Sequence, residues 1–432
     1  MTRLLRIELR RSVALVLFVA TAVGGTAMMF NDTEQWVGRW SGLAVYLRTA
    51  LVVLVPIVLA AAAWQGGRER RRRMDELLST VPRPRPQLVL VRWGVVSAGV
   101  VAGCVVVWLV CAAFVAPVAT YSGGGWWWLT LVAVVAVAAA AAVGLTLGQV
   151  LPWRLAAPVI GVAGYAGIGL LSFAGDSGRM WLSPVLPSHV VGEILPASAS
   201  ALQAAWFAGL GVSALTLAGA RKRKVVAAPA AMTLAIGAVI VVGPGDERWT
   251  EDAAAAEQVC TGDVVDVCAT RQMGFLLDDF VAATGETVQR LSRVPGAPRR
   301  ILVNANSEAR WSASDPVRIG LERYVDWRGG LSMTDAWGYR LRDELATAVL
   351  PPTQGCADWP APDRDLAVVS VVAQLWAGAT GDAAGADAEV LARYQRFADR
   401  PEAAQARWMQ RYYEAARNCD AAALPALKRD LA

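Results

Sequence analysis

Seven apolar runs separated by short polar segments occupy the first 243 residues of the chain. In order, they cover residues 12–30, 43–64, 91–117, 126–148, 156–173, 201–220 and 225–243. A helix needs about 20 apolar residues to cross the hydrocarbon core of a bilayer, so the pattern predicts about seven transmembrane helices. The first run follows an arginine-rich start, as in a signal peptide, but its length favours an uncleaved span.

Residues 244–432 have the mixed polarity of a folded domain. Apolar residues at helical spacing predict helices over 273–291, 365–377, 386–398 and 401–419, with another beginning within 317–324. The run 365–377 is too short to span a bilayer, so we expect a buried core helix there. The last helix carries a stripe typical of a core, formed by Trp408, Tyr412, Ala415, Ala416 and Cys419. The chain therefore divides into a transmembrane domain, 1–243, and a mainly helical domain, 244–432.

Composition and charge point to a membrane rather than to nucleic acid. Hydrophobic residues make up 55% of the chain, the mean hydropathy is +0.40 and the net charge is +5. The basic residues cluster at the ends of the apolar runs, so membrane topology explains the charge better than nucleic-acid binding does. The positive-inside rule predicts a cytoplasmic N-terminus and an extracytoplasmic C-terminal domain in a multi-pass protein of the plasma (cytoplasmic) membrane.

The densest basic cluster, residues 68–85, lies between the second and third predicted spans and is therefore expected in the cytoplasm. Within it Met74, Leu77, Leu78 and Val81 follow the spacing i, i+3, i+4, i+7, which places them on one face of a short helix ending before Pro82. An amphipathic helix of this kind can dock into a groove on a soluble partner or lie on anionic membrane lipid. Both interpretations remain open at this point.

Four of the six cysteines lie in the C-terminal domain: Cys260, Cys268, Cys356 and Cys419. In a segment predicted to be outside, four cysteines suggest two disulfides, and three pairings are possible. We favour Cys260 with Cys268 and Cys356 with Cys419. A zinc site is the alternative, but that half of the chain has no histidine and no CxxC spacing. Cys104 and Cys111, in the third run, are expected to be small core residues.

Three features within the spans carry further expectations. Arg48 lies in the outer third of the second span, where its side chain is expected to snorkel to the headgroups; the alternative is a charge that binds substrate. Gly144 and Gly148 have GxxxG spacing, which predicts close helix packing. Tryptophans 126–128 suit an aromatic belt at the outer interface.

The sequence contains none of the familiar catalytic motifs considered below. None of the three lysines follows a glycine, so the chain lacks a nucleotide-binding phosphate loop. A single histidine, His189, excludes HExxH, and there is no GxSxG elbow. Asp278 and Asp279 could pair as acid and base, but on a predicted helix they fit a solvated face. The sequence predicts no enzyme and no cofactor.

The arrangement of spans around an amphipathic cytoplasmic segment resembles the permease subunits of the ABC-2 type transporter family. Glu69 and the stretch 75–83, which reads DELLSTVPR, look like the coupling helix of that family, although Arg73 and Met74 stand near the place of its usual Gly-Thr. The resemblance implies an ABC ATPase subunit as partner, and a second permease copy or a homologue. It implies that ATPase closure pushes on this helix and tilts spans one, two and five. The residues implied in coupling are Glu69, Met74, Glu76, Leu77, Leu78, Val81 and Pro82.

The resemblance to the six-span plan covers about the first 220 residues. The seventh span and the outer domain are similar to a group of actinobacterial permeases with CxG and then VC just outside the last span. Here those residues are Cys260, Gly262, Val267 and Cys268. The function this implies is a permease subunit, an exporter, driven by a separate ATPase. The alternatives are a membrane-anchored receptor or assembly factor and, with few residues to support it, a tethered hydrolase.

Overall fold

The computed structural model describes residues 12–71, 84–151, 153, 155–172, 178–186, 192–220, 223–244, 248–262, 264–304, 317–353, 356, 366–382 and 384–431. The chain divides into two compact units, residues 1–117 with 122–252, and residues 118–121 with 253–432. The division follows Asp252 rather than residue 243, because strand β1 (Glu193–Ile194) pairs antiparallel with β2 (Thr250–Glu251) inside the first unit.

Each of the seven predicted runs forms a helix in the first unit. The helices are α1 Ala14–Met29, α2 Trp40–Gly66, α3 Arg85–Val115, α4 Trp126–Val150, α5 Ala156–Ser172, α6 Ala197–Gly219 and α7 Ala227–Val242. Among the described residues, α2, α3, α4, α6 and the stretch Lys224–Val242 are long and apolar enough to cross a membrane. The helices α1 and α5 are apolar but shorter, with 16 and 17 residues.

The helix α2 is central to the first unit. It packs against α1, α3, α4 and α5, while α4 packs against α6 and α6 against α7. The core contains side chains from these helices that are almost fully buried, among them Leu54, Val58 and Ala62 of α2 and Val137 and Leu145 of α4. Leucine, valine and alanine fill the helix contacts, so packing rather than polar pairing holds most of this core together.

The second unit contains a four-stranded sheet with the order β3-β4-β5-β6. Its strands are β3 Gln258–Thr261, β4 Asp266–Thr270, β5 Arg300–Asn304 and β6 Val317–Gly320. The pair β3 and β4 is antiparallel, whereas β4, β5 and β6 run parallel to one another. Helix α8, Leu277–Ser292, lies in the connection between β4 and β5, as parallel neighbours require.

The sheet is absent from the sequence-based prediction, and the helix expected to begin within 317–324 is wrong. Residues 317–320 form β6, and a 3-10 turn follows at Glu322–Tyr324. The central strands have only five residues each, with three successive buried positions, such as Ile301, Leu302 and Val303. So short an apolar run shows neither the alternation of a half-exposed strand nor a helical period.

The four other helices predicted for the second unit are present. After α8 come α9 Leu341–Val349, α10 Ala367–Trp376, α11 Ala388–Ala398, α12 Glu402–Arg417 and α13 Leu424–Arg429. Val369, Val372 and Ala373 of α10 are fully buried, which confirms a core helix. On α12 the predicted stripe is buried except for Cys419, which lies beyond the helix end, is exposed and has a left-handed backbone with φ of 50°.

Candidate functional site

The predicted coupling segment begins where α2 ends. A one-turn helix, Arg68–Arg71, follows Gly66 and contains Glu69, of which the backbone is described. The other residues implied in coupling, Met74, Glu76, Leu77, Leu78, Val81 and Pro82, lie outside the described residues. Arg71 is placed over the Trp64 ring, 4.1 Å from the ring centroid, and donates a hydrogen bond to the Trp64 carbonyl oxygen. These contacts bind the start of the segment to the last turn of α2.

Near the same end of α2, the backbones of α2 and α4 are in direct contact, with no side chains between them. A Cβ added at Gly144 would lie 2.5 Å from the Leu59 carbonyl oxygen, and one at Gly148 would lie even closer to the carbonyl oxygen of Ala63. Gly66 of α2 approaches the backbone of α4 in the same way. The close packing expected from the GxxxG spacing is therefore confirmed, with α2 as the partner.

A second glycine contact joins α3 to α1. A Cβ at Gly99 would lie 2.5 Å from the Ala14 carbonyl oxygen, and one at Gly103 would lie 2.7 Å from the Thr21 Cβ. Gly99 and Gly103 have the same four-residue spacing as the pair in α4, so this signal was available in the sequence and was missed. The two helices that flank residues 68–85 are thus fastened to different partners, α2 to α4 and α3 to α1.

An apolar cavity of about 260 Å³ lies between these pairs. Leu47 and Leu51 of α2, Cys104 and Trp108 of α3, and Trp126 and Ala133 of α4 contribute to its lining. Trp108 and Trp126 also stack on each other and on Trp40, with ring centroids 5.4 to 5.9 Å apart. Packing is therefore incomplete where the α2–α4 pair meets α3, while it is closest within each pair.

Arg48 is fully buried in the first unit, so the prediction that it snorkels to the headgroups is wrong. Its Nε donates to the Pro184 carbonyl oxygen at 2.9 Å, and its Nη1 donates to Oε1 of Gln203 at 2.9 Å. Gln203 of α6 in turn donates from Nε2 to the carbonyl oxygens of Trp181 and Ser183. The segment 178–186 thus supplies one acceptor of Arg48, the Pro184 carbonyl oxygen, and both acceptors of the Gln203 amide.

The structure contains both favoured disulfides in the second unit. Cys260 is bonded to Cys268, at directly opposite positions of β3 and β4, and Cys356 is bonded to Cys419. Cys104 and Cys111 are buried free thiols of α3, as expected. Within the described residues, no group of three or more histidine, cysteine or acidic side chains is arranged to hold a metal ion.

The second unit also carries a polar pocket of about 700 Å³. Tyr324 donates to Oε2 of Glu344 at 2.8 Å, and its burial, with the added effect of this carboxylate, raises the pKa of the Tyr324 hydroxyl. Asp343 accepts hydrogen bonds from the backbone and side chain of Thr380. The pocket is therefore lined by charges of both signs, with the guanidinium groups of Arg323 and Arg340 alongside the carboxylates of Asp343, Glu344 and Asp382.

The candidate acid and base pair, Asp278 and Asp279, is exposed on the first turn of α8. Oδ2 of Asp279 accepts a hydrogen bond from the Leu331 backbone N–H at 3.1 Å. Asp279 therefore holds a loop in place, and the two carboxylates fit the solvated face expected from the sequence.

Comparisons with known proteins give no relative for this chain. No family model, curated protein or solved structure matches it. Its function therefore has to be argued from its own residues and their arrangement.

Proposed function

We propose that this chain is the membrane-spanning permease subunit of an ABC-type transporter, an exporter driven by a separate ATPase subunit. The observation that carries the proposal is the placement of the basic amphipathic segment, residues 68–85, between two spans that are each locked to another helix by glycines. A segment of that kind can receive a push from a soluble partner and pass it to the bundle.

The glycine contacts suggest how the push would be transmitted. Because α2 and α4 touch through their backbones, they would move together, and α1 and α3 would do the same. The apolar cavity marks the boundary between the two pairs, where less packing has to be broken. Closure of the ATPase against residues 74–81 would therefore shift α2 with α4 relative to α3 with α1. This assignment differs from a tilt of spans one, two and five together.

In this proposal Leu77 and Leu78 make the apolar contact with the ATPase, and Glu69 and Glu76 pair with its basic groups. Met74 and Val81 extend the apolar face, and Pro82 ends the helix. The ATPase supplies the energy and this chain the pathway. The chain pairs with a second copy or a homologous permease, its N-terminus is cytoplasmic, and its second unit is outside the cell.

The test is purification of the tagged protein in mild detergent, with the co-purifying chains identified by mass spectrometry. A soluble subunit with a phosphate-binding loop should accompany the native chain and be lost with Leu77→Asp combined with Leu78→Asp. The matched control is Leu391→Asp, at an exposed leucine of α11 in the second unit, which should retain the ATPase. Retention of the ATPase by the double variant would contradict docking through Leu77 and Leu78.

A receptor or assembly factor is the second candidate, and the polar pocket of the second unit favours it. In that case no ATPase should accompany the native chain, and a ligand of the second unit should bind equally well to the Leu77→Asp, Leu78→Asp variant. The same purification therefore separates the two functions.

A further inference from the structure

Two consecutive hairpins in the second unit share one construction. They cover residues 325–331, with the sequence VDWRGGL, and residues 334–340, with the sequence TDAWGYR. Antiparallel bridges close them, between Val325 and Leu331 in the first and between Thr334 and Arg340 in the second. In both, an aspartate follows the first bridge residue and a glycine with positive φ comes three positions later, at 86° in Gly329 and 89° in Gly338.

The aspartates hold the two loops in the same way. Oδ1 of Asp326 accepts hydrogen bonds from the backbone N–H groups of Arg328 and Gly330, at 2.7 and 2.9 Å. Oδ1 of Asp335 accepts them from Trp337 and Tyr339, at 2.9 and 2.8 Å. In each loop the carboxylate binds the second and the fourth residue after it. A side chain that binds its own loop in this way restricts the backbone, so both hairpins are firmly shaped.

The hairpins expose aromatic rings. Trp337 is 86% exposed, Tyr339 is 64% exposed and Trp327 is 48% exposed. Large rings are seldom left in water on a well-ordered loop unless they contact something else. The Arg328 guanidinium lies 4.5 Å from the Trp327 ring centroid, and that of Arg323 lies 6.0 Å from the Tyr339 centroid. The surface therefore presents aromatic rings, two of them with an arginine beside the ring.

We propose that these two hairpins bind the headgroup layer of a membrane that contains anionic phospholipid. Tryptophan and tyrosine prefer the membrane interface, where the ring is desolvated and the polar edge stays hydrated. Arginine pairs with phosphate through several hydrogen bonds and stacks on aromatic rings at the same time. The two loop carboxylates are engaged within the protein: backbone amides donate to Oδ1 of both, and Oδ2 of the buried Asp335 lies 4.0 Å from Nη1 of Arg323. Arg328 is therefore the arginine assigned to the phosphate.

Lipid is favoured over a protein partner by the tether of this unit. The first hairpin packs on Val118, since a Cβ at Gly329 would lie 2.8 Å from its side chain, and Val118 belongs to the same unit. Val118 follows the last residue of α3, Val115, by three positions. A domain tethered to membrane helices meets headgroups at high effective concentration, so a few rings and an arginine suffice for binding.

The proposal does not depend on an ATPase partner or on transport. Its test uses a nitroxide spin label on the full chain in lipid nanodiscs made of phosphatidylcholine and phosphatidylglycerol. Trp337→Cys and Trp327→Cys are labelled separately, without reductant, in a background with Cys104→Ala and Cys111→Ala. Val264→Cys is the control, because Val264 is 59% exposed in the same unit and lies outside both hairpins.

At positions 327 and 337 the label should collide more often with oxygen than with a water-soluble nickel complex, and at position 264 the order should be reversed. Replacing phosphatidylglycerol by phosphatidylcholine should reduce the difference at position 337. Water-like values at positions 327 and 337 would overturn the proposal. Shielding of both positions from both reagents would also overturn it, because it would mean that another protein chain covers the hairpins.

Discussion

Arg48 and Gln203 show how a cation is accommodated inside an apolar bundle. Two nitrogens of Arg48, Nε and Nη1, donate hydrogen bonds to the Pro184 carbonyl oxygen and to Oε1 of Gln203. The Gln203 amide in turn donates to two carbonyl oxygens. No ion pair to Arg48 is formed within the described part of the chain. Removing a neutral acceptor from a buried charge lowers the stability of the fold, because the charge is then left without that hydrogen bond. Gln203 is therefore the residue on which this cluster depends.

The change Gln203→Leu should destabilise the first unit by about 1–3 kcal/mol, because it removes the acceptor of Arg48 Nη1 and the donor to two carbonyl groups. The change Gln203→Glu should lower the stability less, because a carboxylate at the same place forms an ion pair with Arg48, although it cannot donate to the two carbonyl groups. Thermal unfolding in detergent, with size-exclusion chromatography as the readout, measures the stability of both variants. An equal loss in the two variants would contradict the role assigned to the Arg48 contact.

The glycines of α4 allow its backbone to contact that of α2. Gly148→Ala should destabilise the bundle by about 1–3 kcal/mol, because the new methyl group has no space against Ala63 and the helices must separate. Gly167→Ala on α5 is the matched control, since nothing lies within 4 Å of its Cβ position. The same unfolding measurement applies. A Gly148→Ala variant as stable as the control would show that α2 and α4 are not in backbone contact.

Among the elements of the second unit, the two disulfides differ in what they hold together. Cys260 and Cys268 are 8 residues apart and join strands that are already hydrogen-bonded. Cys356 and Cys419 are 63 residues apart, and their bond closes a loop containing α10, α11 and α12. A longer loop loses more entropy when closed, so the second disulfide restricts the unfolded chain more.

Replacing Cys356 and Cys419 by serine should cost the second unit about 4 kcal/mol, against about 2.5 kcal/mol for the pair Cys260 and Cys268, from the loop lengths alone. Denaturant unfolding of the full chain, followed by near-ultraviolet circular dichroism, would measure the difference. The reverse order would mean that local strain or residual structure outweighs loop entropy.

Helix α12 gives the second unit a predictable response to alkali. Burial raises the pKa of Tyr412 to about 12, from an ordinary value of about 10. Because the folded state holds this proton more tightly, its contribution is complete below about pH 10 and is lost as the pH rises to about 12. The variant Tyr412→Phe should therefore keep its near-ultraviolet circular dichroism to higher pH. The exposed Tyr339→Phe serves as control and should unfold at the native pH.

At the scale of the whole molecule, the distribution of arginine predicts one orientation. Residues 68–85 and the turn between α4 and α5 are expected inside, and the second unit is expected outside. A cysteine at Val264, which is exposed, should react with a membrane-impermeant maleimide in intact cells. A cysteine at Trp153, exposed between α4 and α5, should react only after the cells are permeabilised. Labelling in the opposite order would reverse the topology and remove the basis for a cytoplasmic coupling segment.

Some residues of the candidate site could be predicted from the sequence, and others could not. The two cysteine pairs were preferred among three possibilities, and the structure contains them. The contact through Gly144 and Gly148 was predicted, but its partner was not. The coupling residues 74–82 remain a prediction from the sequence pattern. The Trp-bearing hairpins passed unnoticed, although the repeated spacing of aspartate and glycine is visible once both loops are aligned.

The seven apolar helices and the core helix α10 could be predicted from the sequence, because hydropathy and helical period are local properties of a chain segment. The contacts between distant segments are visible only in the folded structure. Arg48 meets Gln203 across 155 positions, and β4 pairs with β5 across an intervening helix. Such contacts depend on which surfaces meet after folding. The local residue pattern of one segment does not specify which other segment it will contact.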